Sequence, residues 1–179
     1  MKMDRFGGSP AVSWAWALAL ALVTVAGTLA AACMMPFVAL AVICAATLPR
    51  SKAFIAVGTA WGVEQALGFG LLGYPADAHA VGWGLALGAA TIAVVQVSRL
   101  ARADRSIVEA SLAFAAGFAT YELVLYIYGA AIGGADAFTV PIVLAIGRTE
   151  LTWFAALLVI RESLRMLLPP RLVASASAA

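Results

Sequence analysis

The chain predicts an all-α integral membrane protein: a compact bundle of six transmembrane helices that includes two parallel two-helix hairpin repeats. Composition is the first of three observations behind this. Of 179 residues, 64% are hydrophobic and 11% charged, with mean hydropathy +1.01. A soluble domain carries about a quarter charged residues. Too little polar surface is left to cover a globule in water, so lipid is the expected solvent. Second, the apolar runs suit segments of about 20 residues, the length a bilayer requires. Third, a six-span threading places ten of the eleven basic residues on one side.

A polar lead, Met1–Pro10, precedes a stretch from Ala11 to Leu48 without any charge. Those 38 residues would make a helix of about 57 Å, nearly twice the hydrocarbon thickness, so the chain must fold back. The turn is expected around Ala32–Pro36, because proline suits the first turn of a new helix. Spans are therefore expected at about 12–31 and 36–48. Lys2, Arg5 and the run Leu29-Ala30-Ala31-Ala32-Cys33 loosely resemble a signal segment with a lipoprotein box. The apolar run is long for such a signal, and the segment is read as a retained helix.

Pro49-Arg50-Ser51-Lys52 makes a basic turn before a third span at about 53–73. Gly73-Tyr74-Pro75 and Asp77 break the chain ahead of a fourth, at about 80–100. Arg99, Arg102, Asp104 and Arg105 form the next loop. A fifth span follows at about 107–128, then Gly133-Gly134-Ala135-Asp136, then a sixth at about 138–160. Pro169 and Pro170 end any helical continuation, and 169–179 reads as a disordered tail. The whole of 1–179 is one transmembrane domain.

This threading leaves only Asp77, His79 and Asp136 on the side opposite the basic loops. By the positive-inside rule, both termini face the cytoplasm of a bacterial-type inner (plasma) membrane. Cys33 and Cys44 on one helix would stand about 16 Å apart along its axis, too far for a disulfide.

An internal repeat supports the hairpins. Residues 76–88 match 135–147 at seven positions, among them Ala76-Asp77-Ala78 over Ala135-Asp136-Ala137. In the same register Gly58, Gly70 and Arg102 fall on Gly117, Gly129 and Arg161. Small residues recur every fourth position at Gly58, Gly62, Ala66 and Gly70, and again at Gly84 and Gly88. Such stripes let helix backbones approach closely in lipid. They suit tight packing within the bundle and leave room for a second copy or a membrane-complex partner.

The candidate site residues lie at membrane depth: Glu64, Gln65, Glu122, Arg148 and Glu150. Ionisable groups are costly there and commonly mark pathways. Glu122 and Arg148 fall at similar depth on adjacent antiparallel spans and form the expected ion pair. Arg148 and Glu150 are two apart and point to different sides, so Glu150 should face Glu64 or a cavity. Three carboxyls against one guanidinium leave a proton or bound cation to make up the balance.

No nucleophile or metal-ligand motif stands out, so neither an enzyme nor a cofactor is expected. Cys33, Met34 and Met35 are ordinary lipid-phase residues before they are a soft-metal site. The dispersed basic residues are explained by topology, not nucleic acid. The expected function is movement of an ion or small solute, with the buried carboxylates as proton or cation sites. The rival is a non-catalytic accessory or assembly subunit of a larger membrane complex. A polar cavity open to one side and reaching at least two of the four charges favours the former; a solid core with those charges fully paired favours the latter.

Overall fold

A computed structural model describes residues 10–30 and 36–167. Cys33, most of the expected turn at Ala32–Pro36 and the tail at 169–179 lie outside the described residues. The described residues form six α-helices and no strand: α1 (Pro10–Ala30), α2 (Phe37–Thr47), α3 (Arg50–Gly70), α4 (Ala78–Leu100), α5 (Ile107–Ile132) and α6 (Val140–Leu167). Three of them, α4, α5 and α6, are long and apolar enough to cross a membrane.

The boundaries follow local chemistry. Pro49 occupies the N-cap of α3 in an extended conformation, so the helix begins at Arg50, earlier than the sequence suggests. Asp77 accepts from the Ala80 amide at 2.8 Å and starts α4, and Ser106 accepts from the Glu109 amide at 3.2 Å and starts α5. Both are N-caps of the favoured type. Helix α5 passes Tyr128 and ends before Gly133, whose φ of 95° only glycine adopts readily. A single 3-10 turn, Ala135–Ala137, then leads into α6.

The short helix α2 organises the bundle. Its eleven residues are all buried, and each of the other five helices contacts it. The sequence Phe37-Val38-Ala39-Leu40-Ala41-Val42-Ile43-Cys44-Ala45-Ala46-Thr47 explains why. It is apolar on every face, with one hydroxyl at its end, so no side of it gains from solvent. At about 16 Å it is half the hydrocarbon thickness. The expected second span is thus a buried half-length helix.

Around α2, the neighbours α1 and α3, α3 and α4, and α4 and α5 pack directly, the last pair most extensively. Gly117 marks the point where α5, α4 and α2 meet: a Cβ there would lie 2.9 Å from Val94 and within 4 Å of Val42 and Val38. Helix α6 packs mainly on α2. It meets α5 through side chains, with Phe114 stacked on Phe154 at 4.7 Å and Gly147 against Phe118.

The expected close approach of backbones along glycine stripes takes a different form. On α4, Gly84 lies under the Gln65 amide and Gly88 under the Trp61 ring. The glycines receive large side chains from α3 rather than its backbone. On α3, Gly58, Gly62 and Gly70 have nothing within 4 Å of a Cβ position. That stripe lies on the outside of the bundle.

Candidate functional site

Both ends of α2 are polar groups buried in an apolar bundle, and their satisfaction builds the site. Four amides at a helix N-terminus lack intrahelical partners. The N-cap of α2 is Pro36, with no side-chain cap. The missing acceptor comes from α6. Glu150 accepts from the Val38 amide at 3.1 Å and from the Ala39 amide at 2.8 Å, one bond to each carboxylate oxygen. Its side chain is 2% exposed.

At the other end, Arg99 of α4 donates to the Leu48 carbonyl at 2.9 Å. Thr47 donates to Ile43 O at 2.6 Å and accepts from the Trp16 indole at 3.0 Å. A carboxylate at the N-terminus and a guanidinium at the C-terminus both complement the helix dipole.

Beside the N-terminus of α2 lies a cavity of about 400 Å³, walled by Phe37 of α2, Leu87 of α4, Tyr121, Glu122 and Leu125 of α5, Ala137 and Phe138 of the connection, and Ile142, Val143, Ile146, Thr149 and Glu150 of α6. It fills the space left where α5 and α6 do not close on each other. Most of its wall is apolar. Glu122 is half-buried, with both carboxylate oxygens buried and without a hydrogen-bond partner among the described residues. An uncompensated polar group in such surroundings costs several kcal/mol, on the order of 2–7, so the position of Glu122 calls for an occupant or a proton.

An aromatic cluster adjoins the cavity through Phe138. Phe138 stacks on Trp83 with centroids 6.5 Å apart and meets the Tyr126 ring edge-on at 5.7 Å. Tyr128 meets Trp83 edge-on at 5.2 Å. The Trp83 indole donates to His79 at 3.2 Å and lies over Gly134 and Gly129, where any Cβ would crowd it. Rings suited to separate interfacial anchors are here packed on one another.

The cavity thus gathers Glu122 and Glu150, while Glu64, Gln65 and Arg148 are not among its walls. Glu64 is half-buried on α3, and Gln65 covers Gly84. The expected Glu122–Arg148 ion pair is absent: among the described residues none joins them, and Arg148 is exposed. Helical phase gives the reason. Arg148 and Glu150 are two positions apart, about 200° of rotation, so turning Glu150 inward to cap α2 turns Arg148 outward. Among the described side chains of α6, the buried guanidinium belongs instead to Arg161, 1% exposed and hydrogen-bonded to Glu162.

The role of Glu150 as a distant cap was missed in the sequence. The available signal was an apolar segment beginning at a proline, with no capping side chain of its own.

Comparison of the chain with protein-family models, curated proteins and solved structures finds no match. The geometry alone carries the functional reading. Among the described residues, no group of three or more His, Cys, Asp and Glu could hold a metal ion.

Proposed function

We propose that this is a small six-helix inner-membrane protein, both termini cytoplasmic, that moves an ion or small solute through the cavity between α5 and α6. The proposal involves no catalysis. One observation carries it: a cavity between α5 and α6 joins two carboxyl groups, one of which has no hydrogen-bond partner among the described residues. The path would run past the aromatic cluster at Phe138, along Glu122 and Glu150, to the end of α2. A half-length helix ending inside the membrane places its positive pole beside a solute path, an arrangement that recurs where transporter helices are interrupted. The hairpins α3–α4 and α5–α6 would be parallel repeats about an axis along the membrane normal.

The test is flux in liposomes containing the purified protein. Wild type should move protons or a monovalent cation down an imposed gradient, and Glu122→Gln should abolish that flux while the protein still melts as wild type does. Absence of flux from well-folded wild type under every gradient would sink the proposal.

The rival reading, an accessory subunit, draws on Arg148. A guanidinium facing lipid near the middle of a span costs about 2.5–3.5 kcal/mol on the insertion scale, and a carboxylate on a partner helix would relieve that. Native gel electrophoresis of mildly solubilised membranes checks this. An assembly role expects Arg148→Leu to release the protein from a larger complex; transport alone expects no change in apparent size.

A further inference from the structure

We propose that the cavity between α5 and α6 binds a small organic monocation with an apolar body, its ammonium group held by Glu122. This rests on reading the cavity as the solute path, and it names the class of solute.

The charge count sets the sign and the number. Two carboxyl groups border the cavity. Glu150 is already matched by the amides of Val38 and Ala39 at the positive end of α2. Arg148 faces away. Glu122 is left with both oxygens buried and, among the described residues, unbonded; as a carboxylate it presents one negative charge. A single N–H cation supplies the missing donors; a dication or an anion leaves a charge unmatched in an apolar space.

The walls set the body of the ligand. An inorganic cation of the calcium or magnesium type needs six or more oxygen ligands, roughly. The polar groups here are Glu122, the committed Glu150, the Tyr121 hydroxyl and the Thr149 hydroxyl, and Thr149 donates to Ala145 O at 3.2 Å. The rest of the wall is aliphatic or aromatic, with Phe37 and Phe138 at two sides. Such walls favour an apolar body, and rings attract cations at their faces. The volume of about 400 Å³ falls at the small end of pockets that hold organic ligands, roughly 300–1,000 Å³.

The experiment uses three probes of one shape: 2-phenylethylammonium, 2-phenylethanol and phenylacetate. Each is titrated calorimetrically into the purified full-length protein in nanodiscs. The ammonium should bind at least tenfold more tightly than the alcohol, and phenylacetate should not bind. Glu122→Gln should lower ammonium binding to the level of the alcohol and leave alcohol binding unchanged. Ile142→Trp, at the exposed edge of the cavity, should remove both; it provides a second test if Glu122→Gln fails to fold.

Equal binding of ammonium and alcohol would overturn the proposal, as would an ammonium preference that survives Glu122→Gln. So would no binding of any probe to folded wild type. The same proteoliposomes separate this from the transport reading. Ammonium binding without flux of any kind overturns transport and leaves the site. Proton flux without ammonium binding overturns the ligand class and leaves transport.

Discussion

Between α3 and α4, the Trp61 indole donates to the Gly84 carbonyl at 2.8 Å, its ring covers Gly88, and Gln65 covers Gly84. Between α5 and α6, the side chains of Phe114, Phe118 and Phe154 span the gap near one end, and a cavity opens towards the other. The first hairpin is joined by rings seated on glycines, beside a smaller cavity of about 270 Å³ bordered by Gly58, Trp61 and Gly88. The second is propped open, and α2 contacts both of its helices. The sequence aligns these hairpins, yet the residues that differ decide the packing. Gly82, Gly84 and Gly88 on α4 fall opposite Pro141, Val143 and Gly147 on α6. Only one of the three seats for a large side chain remains, and it takes the Phe118 ring. Arg148, Thr149 and Glu150 replace Ala89, Ala90 and Thr91, so the open hairpin also carries two charges that its counterpart lacks at those positions.

The contrast can be broken most severely at Glu150. Glu150→Ala strips the acceptor from two buried amides, each worth about 1–3 kcal/mol when left unsatisfied, and should destabilise the protein by about 2–6 kcal/mol in denaturant titrations. Glu150→Gln keeps one acceptor and should lose less. Next comes the seam between α3 and α4. At Gly88 a Cβ would lie 2.9 Å from a Trp61 ring that its hydrogen bond to Gly84 holds in place. Gly88→Leu should cost about 1–3 kcal/mol through overpacking, read as a lower melting temperature.

Removing the cation at the far end of α2, by Arg99→Ala, should cost about 1–2 kcal/mol, in the range of a charge-assisted hydrogen bond near a helix C-terminus. The smallest effect is on the open face of α3. Gly58→Ala meets nothing within 4 Å and should stabilise slightly, by at most about 0.8–1.0 kcal/mol from helix propensity. If Gly58→Leu instead changes the mass of the detergent-solubilised particle in light scattering, the outer glycine stripe is a seam between copies and not a lipid-facing surface.

Helices α4, α5 and α6 were legible in the chain because long apolar helices announce themselves by length and lack of charge. The breaks at Pro49, Asp77 and Gly133 are local signals, and the helices start or stop within a few residues of them. The depth of Glu122 and Glu150 could also be counted from helix rise, and both reach one cavity. What could not be counted was helical phase relative to neighbours. Depth placed Arg148 level with Glu122, whereas rotation about α6 sent it to the surface. The uniformly apolar Phe37–Thr47 segment carried no moment to orient it, so its burial on every side emerged only when five helices were arranged around it. The link from Glu150 to Val38 spans 112 residues, and no local pattern encodes a cap supplied from that distance.

That distance has a consequence for how the protein is made. Chains grow at about 5–20 residues per second, so Val38 waits roughly 6–22 seconds after its own synthesis before residue 150 exists to accept its amide. For that interval the most buried helix of the finished bundle has an unfinished end. Its early neighbours α1 and α3 can shelter its sides, but only the arrival of α6 completes it.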